Sequence, residues 1–397
     1  MDAIDLLKAC DFIYISHNYP DHLHAETLQK LDRDTRFVVP KFSNRSVSRY
    51  LEYLGFGEVF ECDFGDVFDF GVPGFGFTVL KSGDFRDDSG VLFSFGDFVA
   101  VMAVDCNALN QYVLPKEVTL LATSFAGGAS GFPLCFGNYD EAEKARITAR
   151  NRSAVRHSVN KYIDATEPAF YAPYAGFFKE DPGRDGYVAS RNKKNSVSDI
   201  GRLVAERGVD FINSVETRSF TFRGMDLVGQ REIPLAPVEY DPAVWYEQSA
   251  RTYADVSDDE MAAYFGGAKF SDTLILYLDL CSGDFESLGR TFEIDFRGDE
   301  VCCSRIERRP TLEDIRIDDG TRRIVLNVRT AAFGRIVREF LPWEDFMIGF
   351  QARLLRWPNV YNSQMWYYFT NEYIADFARK AAFDCGQSCV RLDQETF

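Results

Sequence analysis

Three of the four histidines in this 397-residue sequence, His17, His22 and His24, fall within eight residues of one another. The apolar run FIYIS at 12–16 stands directly before them and is typical of a short buried strand. A strand that delivers two imidazoles and the carboxylate of Asp21 into one loop suits zinc, iron or manganese. The alternative is a polar loop that caps the next helix, and His24 alone fits that alternative better than ligation. The pattern therefore favours a metal site in the loop at the end of this strand.

The rest of the chain predicts two domains. Short strand and helix patterns alternate through the first half, which favours a layered α/β domain. Residues 179–186 are predicted as a surface loop, and the proline-containing stretch 223–243 as an interdomain linker. Strands at hairpin spacing and helices, one of them at 343–355, predict a smaller α+β domain with an antiparallel sheet. The predicted division is 1–235 and 236–397.

Charge and hydropathy exclude some classes of function. Lys and Arg number 44 and Asp and Glu 61, a net charge of −17 that argues against a nucleic-acid or membrane-surface binder. No window approaches the roughly 18 apolar residues of a membrane span. The N-terminus MDAIDLLKAC lacks the basic region of a signal peptide, so a soluble cytoplasmic protein is expected.

Several sequence blocks carry a resemblance to known proteins. The segment SHNYPDH at 16–22 resembles the H-x-H-x-D-H motif of the metallo-β-lactamase fold, with Tyr19 in place of the second histidine. Residues 11–31, VDCN at 104–107, SFAGGASGFP at 124–133, APYAGFF at 172–178 and IGFQARLLRWPNVY at 348–361 resemble, in order, the CMP-N-acetylneuraminate hydroxylases. The decapeptide SFAGGASGFP is far more specific than any single metal motif.

The resemblance implies a fold, a metal and a reaction. It implies a metallo-β-lactamase-like αββα sandwich in which His17, Asp21, His22 and Asp105 are metal ligands. The family oxidises the N-acetyl methyl group of a CMP-linked sialic acid, using iron, molecular oxygen and electrons from a cytochrome b5-type donor. The implied cofactor is one or two iron ions, with zinc or manganese as alternatives. The implied substrate is a small molecule, with a nucleotide sugar as one candidate.

The chain also departs from this pattern. The sequence shows no Rieske cluster motif, so electrons would have to come from a separate protein. Only one strand fits before residue 17, whereas the fold places several there; an earlier start or a partner strand would supply the rest. The loop at 82–90 and the strand reaching 172–174 lack histidines. Asp84, Asp87 or Asp88 could substitute as a carboxylate ligand, or the loop could be a solvated acidic turn.

Further candidates complete the expected site. Asp21 and Tyr19 are candidate catalytic groups, and Tyr19 could also ligate as phenolate. Asp88 is the preferred extra ligand. Backbone N–H groups of a glycine-rich turn could cradle a phosphate, or the turn could only allow close packing. The candidate substrate-binding residues are Gly127, Gly128, Ser130, Arg150 and Tyr174. Arg150 shares a helix face with Arg146, although such a face is commonly only solvated.

Three functions follow. The first is an iron-dependent oxygenase that hydroxylates an acyl group of a nucleotide-linked sugar or similar molecule. The second is a hydrolase of the metallo-β-lactamase fold, because a bound metal lowers the pKa of water to about 7. The third is a degenerate or truncated, non-catalytic relative. The small number of candidate metal ligands favours this hypothesis.

Overall fold

The computed structural model describes residues 3–84, 86–127, 131–176, 180–214, 218–234 and 241–373. The helices up to residue 234 are α1 (Ala3–Lys8), α2 (Ala25–Leu28), α3 (Ser46–Tyr53), α4 (Glu141–Thr166), α5 (Pro182–Arg191) and α6 (Val197–Ala205), with a 3-10 turn at Leu109–Tyr112. The strands there are β1 (Ile13–Tyr14), β2 (Phe37–Pro40), β3 (Val59–Cys62), β4 (Val67–Phe68), β5 (Phe75–Lys81), β6 (Ser89–Phe95), β7 (Phe98–Met102), β8 (Leu120–Thr123), β9 (Phe170–Pro173), β10 (Asp210–Phe211), β11 (Arg218–Arg223) and β12 (Asp226–Glu232).

Two sheets pack face to face in this first part. Strands β1, β2 and β3 form a parallel sheet in that order. The larger sheet has the order β10-β9-β8-β7-β6-β5-β4, antiparallel from β4 to β7 and parallel from β7 to β10. Apolar side chains of both sheets, among them Val38 and Val79, meet in one buried cluster. The sandwich therefore has its strands in two adjacent inner layers.

Helices cover both outer faces of the sandwich. Leu28 of α2 and Leu51 of α3 pack on the small sheet, in a cluster with Phe37. Val159 of α4 and Ile200 of α6 pack on the large sheet. The resulting order of layers is helix, sheet, sheet, helix, so the predicted αββα sandwich is confirmed. The long helix α4 begins at a capping box in which Asp140 accepts from the backbone of Glu143.

The remaining elements form a further, five-stranded sheet with its own aromatic core. The helices are α7 (Pro242–Tyr253), α8 (Asp258–Gly267), α9 (Leu312–Ile315), α10 (Thr330–Glu339), α11 (Glu344–Met347) and α12 (Ser363–Tyr367), followed by a π-helical turn at Tyr368–Glu372. The strands are β13 (Leu274–Cys281), β14 (Ser287–Asp295), β15 (Cys302–Ile306), β16 (Arg322–Arg329) and β17 (Ala352–Trp357). Their order is β15-β14-β13-β16-β17, antiparallel as expected except for the parallel central pair β13–β16.

Three local predictions were wrong. The segment 343–355 is not one helix, because α11 ends early and β17 follows with alternating burial. The predicted loop 179–186 contains the start of α5, which Asp181 caps by accepting from the backbone of Gly183. The predicted linker 223–243 contains β12, which pairs with β11 as a hairpin. The helix prediction failed because a short apolar run does not distinguish the helix and strand periods, and the loop prediction failed because a local cap begins a helix.

The two parts are joined by buried contacts. Leu134, Cys135 and Phe136 of the first part lie in the core of the second, and the backbone N–H of Gly137 donates to Leu354 at 2.8 Å. The division at 235 and 236 stays a prediction, since 235–240 lies outside the described residues. Among the described helices, none has the length and apolar character that a membrane span requires.

Candidate metal centre

Two strands from different sheets end at the same place. The loop that follows β1 carries His17 and His22, and the loop that follows β7 carries Asp105. The first loop is fastened to the large sheet, because Ser89 donates to the backbone carbonyl of Ser16 at 2.7 Å. The ends of both sheets therefore bring together groups that are almost ninety residues apart in sequence.

Two imidazoles and one carboxylate converge there. One ligand atom from each of His17, His22 and Asp105 lies within 4.8 Å of the other two. Nε2 of His22 is 3.4 Å from Oδ2 of Asp105 and 3.7 Å from Oδ2 of Asp21. His17 is fully buried, whereas the Asp105 side chain is 28% exposed. The group is thus anchored in the protein on one side and open on the other.

The electrostatics of the group suit a cation. Burial, followed by the charge of His22, lowers the pKa of His17 well below its ordinary value, so its imidazole is neutral. Burial raises the pKa of Asp105, but the hydrogen bond and charge of His22, together with the charges of His17 and Arg86, outweigh burial and leave that pKa below the ordinary value. Burial lowers the pKa of His22, but the hydrogen bond with Asp105 and the charges of Asp21 and Asp105 outweigh burial and raise it, so this ring would release a proton on binding an ion. Metal binding needs neutral imidazoles and an ionised carboxylate.

A buried nitrogen atom of His17 is a second observation that favours a bound metal ion. Nε2 of His17 is buried and has no hydrogen-bond partner among the described residues. A buried polar atom without a partner is costly and calls for an explanation such as an ion. Two histidines with one carboxylate and open positions form the ligand set of mononuclear non-haem iron(II) oxygenases. These three residues would hold such an ion.

An arginine, which the sequence reasoning missed, lies beside this group. The Arg86 guanidinium is 2.9 Å from Oδ2 of Asp88 and 2.9 Å from Oδ2 of Asp84. It also donates to the backbone carbonyl of Asp105 at 2.9 Å. Nothing in the spacing of the 82–90 loop predicts this, since the cluster forms only when that loop folds against the one at 105–107.

Two cavities border the centre, and Asp21, Arg86, Asp105 and Ile348 line both of them. The aromatic cavity, about 410 Å³, is further lined by Phe132, Phe136, Tyr361, Trp366 and Arg356. The α4 cavity, about 540 Å³, is further lined by Asn107, Ser124, Gly127 and Ser158. The centre therefore faces an aromatic, cationic space on one side and a space with hydroxyl and amide groups on the other.

Known proteins resemble this chain along almost its whole length. A cytidine monophosphate-N-acetylneuraminic acid hydroxylase from Danio rerio is 27% identical over 401 residues, which cover 94% of this chain and 65% of that protein. The Sus scrofa protein of the same name is 26% identical over 399 residues, 93% of this chain and 87% of that protein. The predicted resemblance is confirmed. The chain spans about 65% of the length of the Danio rerio hydroxylase.

The comparisons give four further findings. The Homo sapiens relative, named an inactive hydroxylase of this kind, is 26% identical over 93% of this chain and 76% of its own length. No protein-family model matches the chain. The diiron β-hydroxylase CmlA from Streptomyces venezuelae aligns over 53% of this chain and 44% of its own, with a TM-score of 0.37 and 20% identity. The metallo-β-lactamase fold protein YhfI from Bacillus subtilis aligns over 52% of this chain and 75% of its own, with a TM-score of 0.32 and 9% identity.

Of the five predicted metal ligands, three converge in the structure and two lie further out. His17, His22 and Asp105 converge, and Asp21 lies at their edge with its side chain 51% exposed. Asp88 lies on the other side of His17, with Oδ1 at 3.7 Å from Nδ1 and its second oxygen against Arg86. The geometry thus separates Asp88 from the converging ligand atoms.

Some of the predicted catalytic and substrate-binding residues lie at the centre or line a cavity, and others do not. The Tyr19 ring lies 4.7 Å from the His17 ring, and burial raises its pKa, which favours neutral phenol over phenolate. Burial and the charge of Asp105 raise the pKa of Tyr174, so this residue is near the centre. Gly127 lines the α4 cavity, whereas Arg150 is exposed on α4 and is absent from the described lining of either cavity. Gly128 and Ser130 lie outside the described residues.

Proposed function

We propose that the protein is an iron-dependent hydroxylase of a nucleotide-linked sugar, with electrons delivered by a separate protein. The observation that carries this proposal is the convergence of His17, His22 and Asp105 between two cavities. Iron bound there would supply the oxygen chemistry. The similarity to hydroxylases named for CMP-N-acetylneuraminic acid supports the choice of reaction and substrate.

The aromatic cavity has the chemistry that a nucleotide requires. Phe132, Tyr361 and Trp366 offer ring faces on which a planar base can stack. Arg356 donates through Nε to Asn359 at 3.0 Å and lies in the cavity wall, where its guanidinium can meet a phosphate. Burial and the charge of Asp21 raise the pKa of Glu344 to about 7, so that it can donate or accept a hydrogen bond to the edge of a base.

The α4 cavity suits the sugar. Ser124 and Ser158 present hydroxyl groups, and Asn107 presents an amide whose nitrogen donates to Asp84 at 2.8 Å. Asp21 borders both cavities and is placed to hold a proton at the metal-facing edge of the substrate. Burial raises its pKa above the ordinary aspartate value, which favours a proton-transfer role over permanent ionisation.

The partial burial of the centre supports oxygenase chemistry for a physical reason. Oxidation of an unactivated methyl group needs a site that excludes water and fixes the target C–H bond. Ile348 lines both cavities beside the ligands, and Phe132 and Phe136 line the aromatic cavity. We expect a nucleotide sugar to fill both spaces and displace water from the centre.

The proposal is tested by hydroxylation of CMP-N-acetylneuraminate in the presence of iron(II), oxygen and an electron-transfer chain. Mass spectrometry should detect a product with one added oxygen atom. The His22→Ala variant should lose this activity and the bound iron. The control is His24→Ala, because His24 is exposed and faces Glu26 at 3.0 Å instead of the centre. Equal turnover by the His22→Ala protein would contradict the proposal.

A hydrolase remains the second candidate, and one observation favours it. The Asp21 carboxylate lies 3.7 Å from the His22 nitrogen and is half exposed, so it would be available as the base for a water bound to an ion held by His17, His22 and Asp105. Phosphodiester or lactone cleavage by the zinc-loaded protein, without oxygen or reductant, would identify this function. No oxygen incorporation and no hydrolysis in a folded, metal-loaded protein would identify a binding protein.

A further inference from the structure

We infer that this chain holds one metal ion, and that the Arg86 guanidinium provides the second positive charge of the centre. The inference rests on the proposed metal site and concerns the arginine, which sequence reasoning did not single out. Three donors converge in the described residues, one each from His17, His22 and Asp105. Such a set is sufficient for one ion with open coordination positions.

The charges around the centre exceed what one divalent ion can neutralise. Asp21 and Asp105 face both cavities, while Asp84 and Asp88 lie on the neighbouring loop. Asp88 is 1% exposed, so its ionised form is stable only next to a cation. A second cation is therefore needed next to the first.

Arg86 meets that need with fixed geometry. It contacts the Asp84 and Asp88 carboxylates and the Asp105 backbone carbonyl, each at 2.9 Å, and its own side chain is only 26% exposed. The planar guanidinium, always charged, suits a buried position between carboxylates better than an ammonium does. Because Arg86 lies against one oxygen, Oδ2, of each carboxylate, those two oxygens are engaged by protein rather than by a second metal ion.

The same arrangement assigns Asp88 a positioning role. Its Oδ1 lies 3.7 Å from Nδ1 of His17, on the ring edge opposite the buried Nε2. That distance is too long for a hydrogen bond, and Ser16 at 2.8 Å makes the direct contact with Nδ1. The Asp88 carboxylate acts on the ring through its negative charge, which makes a ligating imidazole a better donor. Asp88 thus acts on the metal through His17 instead of binding the ion itself.

The experiment counts metal ions in the full-length chain. Chelator-treated protein is titrated with Co²⁺ without oxygen, and the visible absorption should saturate at one equivalent. Elemental analysis of the iron-loaded protein should give one ion per chain. Saturation at two equivalents in the wild-type protein would overturn the inference, even if the protein proves to be an oxygenase.

Variants test the role of the arginine. Arg86→Met removes the charge at similar length and should allow a second, weaker equivalent, because Asp84 and Asp88 are released. Arg356→Met is the matched control: it removes a cation from the wall of the aromatic cavity, where Arg356 donates to Asn359, and should keep one equivalent. If folded Arg86→Met protein still saturates at one equivalent, Arg86 does not set the metal number.

A second variant covers the case in which Arg86→Met does not fold. Asp88→Asn has the same shape and, by this inference, removes no ligand, so it should retain one equivalent of Co²⁺. Loss of the bound ion in a folded Asp88→Asn protein would show that Asp88 is a ligand and would overturn the inference. A single bound ion without any hydroxylation would contradict only the proposed function.

Discussion

The hydroxyl oxygen of Ser16 lies 2.8 Å from Nδ1 of His17 and is therefore in position to accept that ring's N–H. The same oxygen is 3.4 Å from Nδ1 of His22. When each neutral ring carries its hydrogen on Nδ1 and donates it to Ser16, both Nε2 atoms present a lone pair to a metal ion, which for His22 takes the place of its contact with Asp105. One small side chain thus favours the same ring orientation and tautomer in two ligands.

Replacing Ser16 should weaken metal binding without unfolding the protein. Loss of such outer contacts typically costs metal sites about 10- to 100-fold in affinity, so Ser16→Ala should bind Co²⁺ about that much more weakly. Competition with a chromophoric chelator measures the change. Ser153→Ala is the control, because its hydroxyl donates to a backbone carbonyl on an exposed face of α4. Unchanged affinity in Ser16→Ala would show that the rings are fixed by packing alone.

Asp345 should make stability depend on pH. Burial raises its pKa to about 7, and the charges of Glu26 and Glu339 add to the effect against that of Arg335. In the unfolded chain the pKa of an aspartate is about 3.9. Between about pH 4 and 7 the folded state therefore binds more protons, and this group's contribution to stability falls as pH rises through that window.

The Asp345→Asn variant isolates that contribution. An amide does not titrate, so the slope of the free energy of unfolding against pH, from about pH 4 to 7, should be less negative or more positive than in the wild-type protein. Urea denaturation at several pH values measures the slopes. The exposed Asp11→Asn serves as the comparison and should reproduce the wild-type slope. A steeper decline in Asp345→Asn would reverse the assigned sign.

The sequence predicts the centre best where its residues lie on one loop. His17, Asp21 and His22 follow a single strand and were found from spacing, whereas Asp105 needed the resemblance because it comes from another sheet. Arg86 was missed, since its meaning depends on which carboxylates the fold brings to it. The β17 strand was taken for a helix because a short apolar run does not distinguish the two periods.

Gly334 allows α7 and α10 to touch. A Cβ atom at this position would overlap the backbone carbonyl oxygen of Tyr253, at the end of α7. Gly334→Ala should therefore separate the helices and destabilise the protein by about 1–3 kcal/mol, as overpacked sites do. Thermal or urea unfolding measures the loss.

Gly266 in α8 is the matched control for this substitution. A Cβ atom there meets nothing within 4 Å. Alanine is the better helix former, so Gly266→Ala should stabilise the protein by about 0.4–1 kcal/mol. Equal changes in the free energy of unfolding would mean that α7 and α10 can move apart without loss of stability.

Arg329 and Asp185 form a buried ion pair between the two parts of the molecule. Nη2 of Arg329, at the end of β16, donates to Oδ1 of Asp185 in α5 at 2.9 Å, and the Asp185 side chain is fully buried. Arg329 also donates to the backbone carbonyl of Gly283 at 2.7 Å. Removing one partner of a buried pair costs about 3–5 kcal/mol, because the other charge is left unpaired.

Arg329→Met should fall near the lower end of that range, since Arg184 also contacts Asp185. Urea unfolding should show a loss of about 3 kcal/mol. The control is Arg251→Met, which breaks an exposed pair with Glu247 one turn away and should cost about 0.5 kcal/mol or less. A loss in Arg329→Met no larger than that of the control would show that Arg184 alone neutralises Asp185, and that the pair contributes little to holding the two parts together.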